Sequence, residues 1–286
     1  MSQVSRTLQR RLFERAFRTS FARRGLAAIR WRSGLDADLA ELTARVERLE
    51  RIAASEPGAP QLSTHGTSKA WASPRDADLL EETLGAVAER AGGMLNVLEW
   101  GSGLSTLHYP EWLAGGGARV SWTTLEHDRE FFRRFIEPAL RERGAQIVWS
   151  EELGGAGPKL GERAGLTAVV FDKGPIDPIE GESRVADRLK DLDDYVALPA
   201  TLGRRFHAIL VDGRKRRRCL GEAATLLEDG GIALLHDALR PYYHCAFAAF
   251  RSGRLIGDEL WIGAQVETDF ADVVPREALG ASTRVG

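Results

Sequence analysis

Short apolar runs alternate with amphipathic segments through the middle of the chain. The runs are rich in β-branched residues, and the segments between them repeat their apolar positions with a helical period. Strands are predicted at 94–99, 120–126, 145–149, 207–212 and 231–236, and helices between them at 104–114, 129–143 and 216–228. This alternation is typical of an α/β fold, in which a doubly wound parallel sheet carries helices on both faces. Ligands of such sheets bind beyond the carboxyl ends of the strands, beside the first one.

Further elements are predicted on both sides of this alternation. A helix is predicted over 76–90, where Pro74 lies near the first turn and apolar residues share one face. After the last strand of the alternation, 240–250 is predicted as a helix and 254–266 as a closing pair of strands. These elements extend the α/β domain at both of its ends.

An insertion at about 151–205 separates the third and fourth predicted strands and does not fit the repeat. It includes an additional predicted strand at 166–171 and a highly charged, helical stretch at 182–200. Insertions of this length usually serve a function or bind a partner. We therefore expect part of this insertion to face a ligand or a partner.

The N-terminal region carries two helical patterns of another kind. Residues 4–31 form a basic amphipathic pattern, and 35–53 repeat apolar residues as in a coiled-coil seam. The seam predicts pairing with another copy of the chain, as in a homo-oligomer, or packing against the first helix. Prolines and a glycine at 54–60 predict a linker. The chain therefore divides into a helical extension, 1–60, and an α/β domain, 61–286.

Charge is distributed unevenly between these two parts. The net charge is only −2, so nothing in the overall balance favours nucleic acid as a partner. Residues 1–32, however, hold nine arginines against one acid, Glu14. The basic helix therefore fits attachment to an anionic membrane surface or to an acidic partner, unless it packs on its own domain with solvated arginines.

Cysteine usage and hydropathy bear on the compartment. The only cysteines, Cys219 and Cys245, form neither a disulfide framework nor the spacing of metal ligands. The N-terminus lacks the apolar core of a secretory signal, and no run of about 18 apolar residues occurs that would span a membrane. We therefore expect a cytoplasmic protein. Peripheral contact with a membrane through residues 4–31 is compatible with this location.

The candidate ligand site begins where the first predicted strand ends, in the segment Glu99-Trp100-Gly101-Ser102-Gly103-Leu104-Ser105-Thr106. Glycines in such a turn let the backbone approach a ligand closely, and the helix that follows offers free N–H groups. A nucleotide-like ligand is therefore expected. Glu99 argues against binding mainly through phosphate, because its carboxylate would repel a phosphate group.

A second acid, Glu126, ends the next predicted strand. A carboxylate there can accept hydrogen bonds from a ribose diol, as the acidic residue of a dinucleotide fold does. The third glycine of a dinucleotide fingerprint is replaced by Thr106, however, and no Tyr-x-x-x-Lys pattern is found. These two departures disfavour a nicotinamide-dependent oxidoreductase.

Over about residues 75–267 the chain resembles the class I S-adenosylmethionine-dependent methyltransferases. Glu99-x-Gly101-x-Gly103 is similar to their first motif, with Ser105 at the usual third glycine, and Glu126 falls at their ribose-binding acid. The resemblance implies a seven-stranded Rossmann-like sheet and S-adenosylmethionine as cofactor. The residues implied to bind it are Glu99, Gly101, Ser102, Gly103, Ser105, Thr106, Glu126 and Glu151. Glu99 and the two glycines would line the methionine end, and Glu151 would lie near the adenine.

Chemistry-bearing side chains also follow the fourth and fifth predicted strands, at Asp212 and at His236-Asp237. An imidazole with two carboxylates can bind Mg²⁺ or another divalent cation, or can abstract a proton. By the resemblance, metal-dependent sugar and small-molecule O-methyltransferases carry acids at these strand ends, and His236 replaces one of them. Three interpretations stay open: a metal site, a metal-free base at His236 or Asp237, and a structural His-Asp pair.

A basic run at 214–218 follows the fourth predicted strand. Cations are unfavourable at a helix N-terminus, so we expect this run to meet an anion. The anion is either a phosphate- or carboxylate-bearing acceptor or the acids of the insertion, Asp191, Asp193 and Asp194.

Taken together, these features favour an S-adenosylmethionine-dependent methyltransferase that acts on a hydroxyl of a sugar, a polysaccharide precursor or another small molecule. In such a transfer the protein positions the acceptor in line with the methyl sulfonium, and a base removes the acceptor proton. The alternative is a non-catalytic cofactor-binding or scaffold protein, recruited to a membrane or a partner through its N-terminal helices.

Overall fold

A mostly parallel sheet forms the centre of the protein in a computed structural model that describes residues 69–70, 72–153, 164–174 and 190–279. Its strands are β1 Met94–Trp100, β2 Arg119–Glu126, β3 Gln146–Trp149, β4 Gly165–Val170, β5 Phe206–Val211, β6 Leu227–Leu235, β7 Ser252–Leu255 and β8 Trp261–Ala264. They lie in the order β3-β4-β2-β1-β5-β6-β8-β7. Neighbours from β3 to β6 are parallel, whereas β8 is antiparallel to both β6 and β7. The α/β class is therefore confirmed, with eight strands in the described residues rather than the expected seven.

Helices connect these strands, and both faces of the sheet are buried. The α-helices are α1 Pro74–Ala91, α2 Leu104–Gly115, α3 Arg129–Phe135, α4 Glu137–Glu142, α5 Asp193–Ala197, α6 Arg216–Leu226 and α7 Arg276–Leu279. Short 3₁₀ helices cover Ser150–Leu153, Leu198–Leu202 and Pro241–Ala249. Successive side chains of a strand point to opposite faces, and Val97 and Leu98 on β1 are both fully buried. Continuous burial of this kind explains why the strands appear in the sequence as uninterrupted apolar runs.

Two predicted helices differ from the observed ones. The stretch 129–143 is broken at Ile136 into α3 and α4, because Pro138 in the first turn of α4 has no N–H to donate to the preceding turn. The stretch 240–250 is a 3₁₀ helix, in which the buried Tyr243 and Ala246 stand three residues apart, the period of that helix.

The additional strand of the insertion lies inside the sheet. β4 pairs with β2 on one side and with β3 on the other, so the third predicted strand is not a neighbour of β2. Burial explains this order. The last four residues of β4 are buried and three of them are apolar, whereas β3 is four residues long and partly exposed, as suits an edge. Residues 154–163 and 175–189 of the insertion lie outside the described residues.

The start of α1 is tied to the turn between β7 and β8. Ser73 caps the helix by accepting a hydrogen bond from the Asp76 N–H at 3.2 Å. Asp76 is fully buried and accepts hydrogen bonds from the N–H groups of Asp258, at 2.6 Å, and Glu259, at 2.8 Å. Burial raises the pKa of the Asp76 carboxyl. These bonds fix the turn against α1 and bring Glu259 beside the carboxyl edge of β6.

Several predictions of the first section fall on residues that the structure does not describe. The basic helix at 4–31, the seam at 35–53 and the domain boundary at 54–60 lie outside the described residues and stay predictions. Within the described ranges, every helix is too short or too polar to cross a membrane.

Candidate active site

The tips of β1 and β5 meet where the strand order reverses, the point at which sheets of this kind bind ligands. Gly101, just after β1, has φ +102°, which favours glycine, and a Cβ placed there would lie 2.5 Å from Gly213 Cα. A side chain at Gly213 would in turn collide with the Tyr195 hydroxyl, which α5 of the insertion brings to this contact. Gly101 is therefore required by the packing of the two strand tips, whether or not a ligand binds.

Glu99 lies beneath the glycine turn with no exposure to solvent. Its carboxylate accepts hydrogen bonds from the hydroxyls of Ser105, at 2.5 Å, and Thr106, at 2.6 Å, and from the Trp122 indole N–H at 2.9 Å. Burial raises the pKa of this carboxyl, although the three hydrogen bonds oppose the shift. The residues expected at the methionine end of a cofactor therefore brace the first turn of α2 from below.

Glu126 holds the same turn from the side of β2. One carboxylate oxygen accepts from the Ser102 N–H at 3.1 Å, and the other accepts from the N–H groups of His127, at 2.7 Å, and Asp128, at 2.9 Å. A carboxylate oxygen can accept two hydrogen bonds, so the oxygen bound to Ser102 can accept one more. This leaves a single acceptor for the ribose hydroxyl that the sequence predicts.

Gly103 is the open position of the turn. It is the residue before α2, its backbone is extended, and a Cβ placed there would have only the Ser105 hydroxyl as a neighbour, at 4.0 Å. The N-terminus of α2 offers free backbone N–H groups beside this opening. A ligand therefore has access to the turn at Gly103, while Gly101 is closed off by Gly213.

Glu151 is not brought together with the other predicted cofactor residues. It follows β3 at the far edge of the sheet, where its exposed carboxylate pairs with Arg129 at 2.5 Å. The backbone beside Glu126 belongs to Phe171, whose N–H donates to the Glu126 carbonyl at 2.8 Å, and Asp172 follows it. The sequence missed these residues because β4 is hidden in the insertion, and its apolar run was the one signal of a central strand.

Asp212, His236 and Asp237 converge at the tips of β5 and β6. One atom of each can be chosen so that all three lie within 4.8 Å of one another, and His236 Nδ1 lies 3.0 Å from Asp212 Oδ1. Asp237 has φ +58°, a conformation uncommon outside glycine and one that clusters at functional sites. The structure thus brings together the three residues that the sequence predicted to lie at neighbouring strand ends.

Arginines fill the space between these acids. Arg216 Nη2 lies 2.9 Å from Asp212 Oδ1, Arg216 Nη1 lies 2.7 Å from Asp237 Oδ2, and Arg240 Nη2 lies 2.6 Å from the same Asp237 oxygen. The basic run was expected to meet either an acceptor or the acids of the insertion. Arg218 does pair with Asp193 of the insertion, whereas the buried Arg216 turns inward to the strand tips.

These contacts set the protonation states of the cluster. Burial alone would lower the pKa of His236, but the Asp212 carboxylate outweighs it and raises that pKa to about 9. Burial would raise the pKa of Asp212, and the charges of Arg216 and His236 hold it below its usual value instead. At neutral pH the site therefore contains an imidazolium and two carboxylates, with guanidinium groups between them.

A divalent cation does not fit this arrangement. One oxygen of each acid, Asp212 Oδ1 and Asp237 Oδ2, is already paired with Arg216, and a protonated His236 has no lone pair to offer. The positive charge of Arg216 would also repel a metal at this distance. Of the three interpretations, the metal site is thus the one that the residues present do not support.

A small pocket lies between Glu99, beneath the glycine turn, and this cluster. Its polar lining comes from both sets of candidate residues: Glu99 and Ser105 beneath the turn, and Asp212 and His236 at the other strand tips. Its remaining walls are apolar, formed by Ala70, Ala72, Leu80, Leu210, Val211, Leu234 and Leu260. The enclosed space is only about 20 Å³, which is room for about one water molecule. The pocket therefore marks where the two sets of residues meet and is not itself a formed cofactor site.

The His236–Asp212 pair makes stability depend on pH. Because the pKa of His236 lies at about 9 in the folded protein and at 6.5 in its ordinary state, the pair stabilises the fold fully below pH 6.5. That contribution is lost as the pH rises through about 9. We expect the difference in free energy of unfolding between the wild type and His236→Asn to shrink across this window. Urea unfolding at a series of pH values measures it, and a constant difference would contradict the assignment.

Comparisons with known proteins give low similarity throughout. No protein-family model matches the chain, and no curated protein matches it. Among solved structures, a methyltransferase-like protein from Silicibacter pomeroyi is 22% identical, with 68% of this chain and 95% of that chain covered and a TM-score of 0.40. A Podospora anserina methyltransferase with bound SAH is 18% identical, with coverages of 88% and 97% and a TM-score of 0.35. The spermidine synthase of Thermotoga maritima is 12% identical, with coverages of 73% and 66% and a TM-score of 0.40. Likeness at this level does not assign a family or an activity to the chain.

Proposed function

We propose that the protein is an S-adenosylmethionine-dependent methyltransferase that acts on a hydroxyl of a sugar, a polysaccharide precursor or another small molecule. The observation that carries the proposal is that Glu99 and Ser105 on one side, and Asp212 and His236 on the other, line the same small pocket. A methyl transfer needs a cofactor site and a proton acceptor that open into one space, because the acceptor must lie in line with the sulfonium.

The glycine turn suits an aminoacyl nucleoside better than a dinucleotide. A pyrophosphate beside the fully buried Glu99 would add negative charge where little solvent screens it. The ammonium group of S-adenosylmethionine carries the opposite sign and would approach through the opening at Gly103. Glu126 keeps one free acceptor position, which suits one ribose hydroxyl.

His236 is the candidate base, and Asp212 orients it. Nδ1 donates its hydrogen bond to Asp212 Oδ1 at 3.0 Å, which leaves Nε2 as the ring nitrogen that takes the acceptor proton. Because the pKa of His236 is about 9, its basic form is scarce at neutral pH and increases as the pH rises. The rate of transfer should therefore increase with pH up to about that value.

Incubation of the protein with methyl-labelled S-adenosylmethionine and fractionated cell extract tests this function. We expect label in a hydroxyl-bearing small molecule, more of it at pH 9 than at neutral pH, in accord with the pKa of His236. Label in an amine or a thiol instead would exclude the hydroxyl assignment. Cofactor binding without any labelled product would favour the non-catalytic scaffold.

A further inference from the structure

The guanidinium of Arg216 occupies the centre of the cluster formed by Asp212, His236 and Asp237. It lies between Asp212 and Asp237, at 2.9 Å and 2.7 Å from their nearest oxygens, and only 10% of its side chain is exposed. Solvent therefore screens these contacts weakly. This is the position that a cation would take if it bridged the two acids.

Backbone carbonyls complete the hydrogen bonding of this side chain. Nε donates to the Gly213 carbonyl at 2.9 Å, Nη1 to that of His236 at 2.9 Å, and Nη2 to that of Asp212 at 2.8 Å. Nη1 also donates to Asp237 Oδ2 at 2.7 Å, so four of the five N–H groups of the guanidinium are hydrogen-bonded within the cluster. Arg216 therefore ties the tip of β5 to the tip of β6.

We propose that Arg216 is a positioning residue that takes the place of a divalent cation at this site. It holds Asp212 and Asp237 in fixed orientations, and through Asp212 it fixes the ring of His236. The catalytic part of this inference rests on the proposed function, because it makes the methyl transfer independent of a metal. The structural part does not, because it concerns only which cation the two acids hold.

Removal of the guanidinium should convert the cluster into a metal site. Replacement of Arg216 by alanine removes one positive charge and its contacts with both carboxylates, while Arg240 keeps its contact with Asp237. Atoms of Asp212, His236 and Asp237 still lie within 4.8 Å of one another. Carboxylate ligands suit Mn²⁺.

Calorimetric titration with Mn²⁺, in the absence of cofactor and acceptor, tests the structural part. We expect Arg216→Ala to bind one Mn²⁺ at least about tenfold more tightly than the wild type, because a like charge at contact distance has been removed. Arg217→Ala, which changes an exposed neighbour on α6, is the matched control and should resemble the wild type. Arg216→Ala combined with Asp212→Asn should lose the gain. Equal Mn²⁺ affinity in the wild type and Arg216→Ala would overturn the proposal.

The wild-type protein supplies a second test that does not depend on how Arg216→Ala folds. One equivalent of Mn²⁺ should leave the NMR signals of the His236 ring sharp, and selective broadening of them would overturn the proposal. For the catalytic part, methyl transfer by the wild type should persist after treatment with a chelator, and its loss would overturn that part. Absence of any methyl transfer would instead defeat the proposed function and leave the Mn²⁺ result standing.

Discussion

Replacement of Arg216 by methionine is expected to lower the free energy of unfolding by about 3 kcal/mol. Methionine fills a similar volume, but it leaves Asp212 and Asp237 close together without the cation between them, and it leaves three backbone carbonyls without their donor. The value lies at the low end of the range for broken buried pairs, because the Asp212 side chain keeps 35% of its surface exposed to water.

Urea unfolding of Arg216→Met and Arg217→Met, measured side by side, checks this value. Arg217 is exposed on the same turn of α6, so its replacement should change the free energy of unfolding by less than about 0.5 kcal/mol. If the two variants were equally stable, Arg216 would not be the residue that joins the two strand tips.

Replacement of His236 by asparagine is expected to slow methyl transfer by about 10² to 10⁴-fold, the usual contribution of a positioned base. Asparagine keeps a hydrogen bond to Asp212 but cannot accept the acceptor proton. The loss should be larger at pH 9 than at neutral pH, because more of the wild-type imidazole is in its basic form there. Binding of S-adenosylmethionine should stay unchanged, because the glycine turn is untouched.

His207→Asn is the matched control for this variant. His207 lies near the start of β5, at the end of the strand opposite to the candidate site. Its ring accepts a hydrogen bond from the Asn96 N–H at 3.1 Å. Its replacement should leave the rate of transfer within about twofold of the wild type, since surface changes away from a site seldom matter more. Equal rates in His236→Asn and the wild type at pH 9 would remove His236 from the mechanism.

The sequence predicted the parallel strands well and their order in the sheet less well. Buried parallel strands are continuous apolar runs, so β1, β2 and β5 were found within one residue of their ends. β4 was found as a strand, but its place between β2 and β3 depends on burial that local periodicity does not contain. Glu151 was assigned to the adenine side because β3, and not β4, was taken as the neighbour of β2. The structure instead brings Phe171 and Asp172, which follow β4, next to Glu126.

The sequence predicted which residues lie at the strand tips of the candidate site, but it did not predict the hydrogen bonds and ion pairs that join them. Asp212, His236 and Asp237 were named because parallel strands end at one edge, and this expectation depends on topology alone. The sequence did not distinguish Arg216 from the other residues of the basic run at 214–218. Its contacts with Asp212 and Asp237 depend on the direction in which α6 follows β5. The one available signal was its position four residues after Asp212, a spacing that is compatible with an ion pair.

Binding of S-adenosylmethionine to Gly103→Phe and Gly115→Phe, measured by calorimetry, tests the central claim most directly. Both glycines lie at the ends of α2, and a Cβ at either one has no neighbour closer than 4.0 Å, so both variants should fold. Only Gly103 adjoins the turn, so its phenylalanine should abolish saturable binding while Gly115→Phe binds like the wild type. Gly101 is unsuitable for this purpose, because any side chain there meets Gly213. Equal binding by the two variants, or no binding by the wild type, would contradict the account.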